Sequence, residues 1–263
     1  MASGESAIAD RVEQVFDAHL YPIDVPRGPQ LSSPEGIEAF LADHGIARAL
    51  LISRDSGLLS RHVEAVEGAY GMLWVNPREP DARGRAAQAL AHPKLVGIKL
   101  HPAEDGFDPD DPVAHPIFEL AEELGVPVSV HCGHPPPGTN TLPWRIQAAA
   151  ARFPQVQVVL AHMGGCVMQY HEASMTAAER HPNVWLDVTG MPHNWRVLEA
   201  VRRAGPDRVL HGSFSPWFHP RLEVLKVLIS DLTPDVVRKV LNDNAESLYL
   251  TRSWRAETTE AGA

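Results

Sequence analysis

Val156-Gln157-Val158-Val159-Leu160-Ala161-His162 is a short, almost unbroken apolar run that ends in a histidine. The same design recurs along the chain. Runs of comparable length lie at Val15–His19, Ala47–Ser53, Gly71–Val75, Val96–His101, Pro127–His131, Val184–Val188 and Val209–Gly212. Each is nearly continuous in Val, Ile and Leu, as expected of parallel strands covered on their outer face by helices. The intervening stretches carry helix signals. Ser33-Pro34-Glu35-Gly36 supplies a capping residue and a first-turn Pro, and Gly45 closes that helix. A second helix opens at Ala114-His115-Pro116 and stops at Gly125. A third covers Asn194–Ala204 before Gly205-Pro206, and Pro234–Leu250 reads as a final amphipathic helix. Eight strand-then-helix units without a composition break read as an α/β fold, a single-domain (β/α)8 TIM barrel over residues 15–250. A doubly wound open sheet is the alternative, but it usually needs fewer strands, and no Gly-rich phosphate fingerprint follows the first run. Residues 1–14 read as an N-terminal segment and 251–263 as a flexible C-terminal tail. Pro135-Pro136-Pro137-Gly138 predicts a stiff loop over the barrel mouth within Cys132–Leu142.

Composition narrows the function. The chain has 263 residues, 44% hydrophobic and 21% charged, with a formal charge of −10. That balance offers no basic footprint for nucleic acid or for an anionic membrane surface. No apolar run reaches the length of a membrane span, and Met1–Gln14 lacks a secretion-signal layout. Two cysteines, Cys132 and Cys166, suit a reducing, cytoplasmic setting and have no Cys-x-x-Cys spacing. No Gly-x-Ser-x-Gly elbow or phosphate-cradling loop is present. A small molecule is the expected partner.

In parallel barrels the reacting groups sit at the C-terminal ends of strands. His19, His101, His131 and His162 each end a strand run. Any one of them can be a core residue, but four converging on one mouth need a metal, carboxylate or ligand to satisfy them. By the period-two alternation of strands, Asp17 shares a face with His19 and Lys99 with His101, while Cys132 points away from His131. Asp17 is a candidate for fixing the His19 tautomer, or else a cap on strand one. Lys99 is a candidate for binding a substrate carboxylate, or for pairing with an acidic neighbour. Asp187, at the end of strand seven, reads as a loop brace in preference to a carboxylate serving the site. Tyr21, Phe214, Trp217, Phe218 and Trp144 suggest an aromatic lining, and Arg54 after strand two reads as a substrate clamp or an ordinary surface ion pair.

Several segments together carry a resemblance: Phe16-Asp17-Ala18-His19, Gly97-Ile98-Lys99-Leu100-His101-Pro102, Val130-His131-Cys132-Gly133, Leu160-Ala161-His162-Met163-Gly164-Gly165, Leu186-Asp187-Val188-Thr189-Gly190 and Asn242-Asp243-Asn244-Ala245. In this order the chain resembles the amidohydrolase-related family of metal-dependent barrel hydrolases, which also contains aromatic-acid decarboxylases and lactone hydrolases. The resemblance implies His19 and His131 as metal ligands and His162 as the residue that orients or activates water. It also implies a second histidine at position 21 and a metal-binding aspartate at position 214. This chain has Tyr21 and Phe214 there. A zinc or manganese ion would therefore have two of its four expected ligands, unless His162 joined His19 and His131 to make the three that a catalytic zinc needs. His211, in the family register, faces the helices. The implied chemistry is hydrolysis of a lactone or amide, or decarboxylation, with His162 as acid/base and with Asp17, Lys99 and His101 as further candidate catalytic groups. Two alternatives stand beside it: a metal-independent isomerase, lyase or cyclase that uses the retained histidines, and a barrel that binds a ligand without turnover. Members of the family often pair, which implies a homodimer, although no apolar stripe in the sequence demands one.

Overall fold

The computed structural model describes residues 14–134 and 139–251. Eight strands follow one another around a single parallel sheet: β1 (Val15–Leu20), β2 (Ile46–Ser53), β3 (Ala69–Trp74), β4 (Leu95–Leu100), β5 (Val128–His134), β6 (Val158–Gly165), β7 (Val184–Asp187) and β8 (Val209–Leu210). Each pairs only with its sequence neighbours in the ladders from β1–β2 through β7–β8. Closure comes from the segment after β8, which hydrogen-bonds to β1. Ala18 N donates to His211 O (3.1 Å), Phe214 N to His19 O (2.9 Å) and Tyr21 N to Ser215 O (2.9 Å). The result is the single (β/α)8 barrel that the alternating runs predict.

Local chemistry explains the helix ends. Ser33 Oγ accepts from Gly36 N at 3.1 Å at the start of Pro34–His44, and Gly45, at φ 66°, ends it in the left-handed conformation. His115–Leu124 ends likewise at Gly125, and Asn194–Ala204 forms as its sequence predicts. The last helix departs from expectation. It begins as an α-helix at Pro234–Arg238, then widens to π turns over Lys239–Asp243 and Glu246–Thr251. β8 is also shorter than the Val209–Gly212 run, because His211 and Gly212 turn toward β1. Most of the expected N-terminal segment and C-terminal tail, and the Pro135–Gly138 stretch of the expected loop, lie outside the described residues. Among the described residues no helix is long and apolar enough to cross a membrane.

Two apolar layers hold the barrel. The larger joins the outer faces of the strands to the helices, through Ile37, Leu59, Phe118, Ile146, Met175 and Val197. The smaller fills the interior with Phe16, Leu50, Ile52, Met72, Val159, Trp185 and Tyr249. Burial of these side chains is the main stabilising term, and it leaves the strand ends to carry polar groups.

The seam between β8 and β1 sets a tight packing limit. A Cβ at Gly212 would stand 2.5 Å from His19 Cβ, 2.6 Å from Thr189 Oγ1 and 2.8 Å from His19 N. Only a residue without a side chain lets the two strands approach. Gly212→Ala is accordingly expected to destabilise the barrel by about 2–3 kcal/mol, as overpacking of a close backbone contact does, and chemical denaturation measures the loss.

Candidate active site

The four histidines meet, although β5 and β6 run past His131 and His162, to His134 and Gly165, instead of ending at them as the apolar runs suggested. His19 lies 4.7 Å from His162 between ring centroids, His162 lies 4.9 Å from His131, and His131 stacks on His101 at 3.9 Å with an interplanar angle of 13°. Trp74, at the end of β3, continues the stack beyond His101 at 5.1 Å, and the Arg54 guanidinium lies 3.9 Å above the Trp74 ring. All four imidazoles are buried.

Backbone irregularities aim them. The β5–β6 register shifts between His131 and Gly133, and a shift of this kind re-aims side chains at a strand end. His162 and Met163 have φ of 68° and 48°, and Phe214 has φ 57°. Left-handed backbone at non-glycine residues costs on the order of 1–2 kcal/mol each, so the surrounding packing must hold these turns in place.

Asp187 is the carboxylate that orients His19. Its Oδ2 lies 2.9 Å from His19 Nδ1, and its Oδ1 accepts from Thr189 N at 2.8 Å and from the Thr189 hydroxyl. Asp187 therefore braces its loop, as read from the sequence, and also fixes an imidazole, which that reading did not favour. Asp17 does not hold the His19 ring. Its Oδ1 accepts the backbone N–H groups of His19 (3.0 Å) and Ser213 (2.7 Å), which ties β1 to the segment after β8, while Oδ2 has no partner. The alternating pattern put Asp17 on the right face but could not show that nearby backbone donors would capture its carboxylate.

The tautomers follow from these bonds. Asp187 is an acceptor, so His19 Nδ1 carries the proton and Nε2 faces the Tyr21 hydroxyl at 3.3 Å. His162 Nδ1 donates to Thr189 O at 2.9 Å, and its buried Nε2 has no hydrogen-bond partner. Burial dominates the acid–base behaviour. It pushes His19 down to about 4 and His101 to about 3, with the Lys99 charge adding to both. It also drives His131 and His162 well below the usual histidine range. Lys99 is fully buried beneath the cluster and is lowered by burial to about 8, so it is still cationic at neutral pH. Burial opposes ionisation of Asp187, but the His19 hydrogen bond, the imidazoles and the Thr189 hydroxyl more than compensate, and its carboxyl lies below the ordinary range. Buried Lys99 and two buried acids, Asp187 and Asp17, thus share the centre with neutral rings, and burial pushes the Asp17 carboxyl up.

The aromatic residues close the mouth unevenly. Phe214 meets His162 edge-on at 4.8 Å and His19 at 5.6 Å, and Trp217 packs 4.8 Å from Tyr21 and 5.0 Å from Phe214. Phe218 also contacts Phe214, at 5.5 Å. Trp144, expected here, lies instead against Tyr170 at 6.0 Å and outside this chain of rings. Arg54 is engaged by Asp105 at 2.7 Å and by Trp74, so its guanidinium is already committed. Cys132 points toward the helix layer, with Sγ 3.7 Å from Ser174 Oγ, and His211 is buried on the helix side. Sequence reasoning missed Trp74 and Thr189. The Trp74 side chain was readable as a strand-terminal aromatic, but the Thr189 contribution is a carbonyl, which no side-chain pattern reports.

The residues present do not fit the metal ion that the resemblance implies. Among the described residues no group of three His, Cys, Asp or Glu side chains could hold one. Tyr21, its phenol pushed upward by burial, remains protonated and occupies the Nε2 face of His19. Phe214 presents hydrocarbon to His162, and Lys99 adds positive charge below. His19 and His131 are not joined by a third ligand.

The amidohydrolase family model matches residues 17–250. The chain belongs to the amidohydrolase family. Its fold is similar to that of an uncharacterized TIM-barrel protein from Bordetella bronchiseptica (20% identity, 89% of this chain and 98% of that one covered, TM-score 0.74). It is also similar to 2,6-dihydroxybenzoate decarboxylase from Rhizobium (15%, 92% and 99%, TM-score 0.72). A third similar structure is 5-carboxyvanillate decarboxylase from Novosphingobium aromaticivorans, complexed with manganese and 4-hydroxy-3-methoxy-5-nitrobenzoic acid (16%, 91% and 97%, TM-score 0.69). Among curated proteins none matches the chain by sequence. The family match supports an enzyme of the amidohydrolase type.

Two outcomes follow from the electrostatics and the substituted positions. His19, His101, His131, His162 and His211 all have depressed values, the last about 3. Above pH 6.5 they are neutral in both folded and unfolded chains. As pH falls below 6.5 the unfolded chain binds protons that the folded chain refuses, so stability drops by up to about 1.4 kcal/mol per pH unit for each histidine. Denaturation between pH 7 and 4.5 should show this loss, together with proton uptake on unfolding. Restoring both missing ligands, by Tyr21→His with Phe214→Asp, should raise manganese or zinc affinity by at least about tenfold over the parent, as read by equilibrium dialysis.

Proposed function

We propose that this amidohydrolase hydrolyses a small, carboxylate-bearing cyclic ester, of the lactone type, by base catalysis at His162 without a divalent metal. One observation carries the reading: His162 donates from Nδ1 to Thr189 O and keeps a buried Nε2 with no partner. An imidazole so fixed is a base and not an acid, because its free nitrogen carries a lone pair at neutral pH. Base-first chemistry suits hydrolysis. Decarboxylation would require a proton donor to carbon, and the neutral ring offers none at that nitrogen. An activated ester is within reach of a weak base, whereas an amide asks for stronger polarisation of its carbonyl.

The step balances on this chain's groups. A water molecule gives its proton to His162 Nε2 as its oxygen bonds to the carbonyl carbon. The tetrahedral oxyanion develops near the buried Lys99 cation, which stabilises negative charge in a dry site. The ring C–O bond then breaks, and the proton passes from Nε2 to the departing alkoxide. His19, locked by Asp187 and Tyr21, shapes the wall beside the reacting carbon, and His101 and His131 form a flat stacked surface for a planar ring. The aromatic closure by Tyr21, Trp74, Phe214 and Trp217 favours an unsaturated substrate over an aliphatic one. The names of the Rhizobium and Novosphingobium enzymes, which describe small aromatic carboxylates, support that substrate class.

A panel of carboxylated lactones and pyrones, assayed with metal-free protein, tests the reading. Turnover should survive a chelator; the rate should stay level from pH 7 down to about 6, because the base form of His162 persists above a depressed value, and should fall as pH rises through about 8, where Lys99 loses its charge. His162→Asn should lower kcat/KM by about 10²–10⁴-fold. Activity that appears only with added manganese or zinc, or an Asn variant as fast as the parent, would refute it.

A further inference from the structure

Behind the site, a buried ion pair grips the turn after β7. Lys226, on the helix Pro220–Leu228, donates from Nζ to Val188 O (2.7 Å), Met191 O (2.9 Å) and Glu223 Oε2 (2.5 Å). Glu223 Oε2 also accepts from Gly190 N at 3.0 Å. Both side chains are buried. Among the described residues, every hydrogen bond that the two side chains make outside the pair is to backbone of residues 188–191. That turn contains Thr189, whose carbonyl accepts the hydrogen bond from His162 Nδ1, and it directly follows Asp187, which holds His19. His211 is buried on the same side and feels the Lys226 charge.

Energetics argue that this pair does more than stabilise the fold. Burying two charges costs several kcal/mol, about as much as their mutual attraction returns, so apolar residues would fill the space as well. What an apolar pair lacks is a set of directed donors and acceptors for three backbone groups on either side of Thr189. The turn is also crowded. Gly190 is at φ 69°, and a Cβ there would stand 3.4 Å from His162 Nδ1 and 3.3 Å from Phe218 Cε2. A small rotation of the 188–191 peptides would swing Thr189 O out of line with His162.

We propose that Lys226 and Glu223 are positioning residues that set the His162 tautomer by clamping the Val188–Met191 turn. Without them, the carbonyl of Thr189 no longer selects Nδ1–H, and the imidazole proton redistributes to Nε2, which removes the base. The idea deepens the hydrolytic reading, because that reading needs a bare Nε2. It is nevertheless tested without turnover, so the two fail separately.

The test is a ring-nitrogen NMR measurement on the full chain labelled with ¹⁵N-histidine at pH 8, with His162→Asn used to assign the signal. The parent should show His162 almost wholly as the Nδ1–H tautomer. Lys226→Met should raise the Nε2–H form to about a third or more, and Lys226→Arg, which keeps the charge and donors, should largely reverse the change. Glu223→Gln provides the second variant if Lys226→Met does not fold. It removes the charge but leaves an acceptor for Gly190 N, and it should give a smaller shift in the same direction. A folded variant of either residue with a parent-like His162 tautomer overturns the proposal, even if its melting temperature falls. So does a parent protein already in the Nε2–H form.

Discussion

The Asp187 carboxylate is the contact on which the rest of the site depends. It is fully enclosed and must be satisfied internally, since a buried charge without hydrogen bonds is too costly to persist. Thr189 supplies two donors and His19 supplies the third. In satisfying itself, the carboxylate fixes a loop, a tautomer and a ring orientation at once. The loop then presents the Thr189 carbonyl to His162, so two neighbouring imidazoles are held through one acid and the turn that follows it.

The charge pattern around that acid separates this chain from a metal-binding barrel. A divalent cation is favoured where carboxylates and neutral donors surround an open volume. Here the open volume has gone to Phe214 and to the Tyr21 hydroxyl, and the positive charge resides on Lys99. The centre holds the Lys99 cation, the Asp187 carboxylate and the buried Asp17 carboxyl, with neutral rings between them. Such a site is poor at gathering a metal. The apolar cover also keeps the dielectric low, which strengthens the interaction between Lys99 and any developing oxyanion.

Much of the fold was legible because it rests on side-chain pattern. The apolar runs, the Ser33 cap and the glycine stops at Gly45 and Gly125 recur in the structure as strands and helix ends. The convergence of His19, His101, His131 and His162 was also legible, since residues late in a parallel strand emerge at the C-terminal mouth, although β5 and β6 run on past His131 and His162. What escaped is what depends on backbone. Asp17 is tied up by two peptide N–H groups, Thr189 acts through its carbonyl, and His162 is turned by a left-handed φ. Arg54 was ambiguous for a different reason. Its partner Asp105 lies 51 residues away, and only the fold could decide between a clamp and an ion pair.

The central claim concerns where protons sit on two rings, and neutron diffraction from a deuterium-exchanged crystal at neutral pH measures that directly. The account predicts deuterium on Nδ1 of both His19 and His162, a deuterated Tyr21 hydroxyl directed at His19 Nε2, and no nuclear density bonded to His162 Nε2. Deuterium or a metal ion bonded to His162 Nε2 would contradict it.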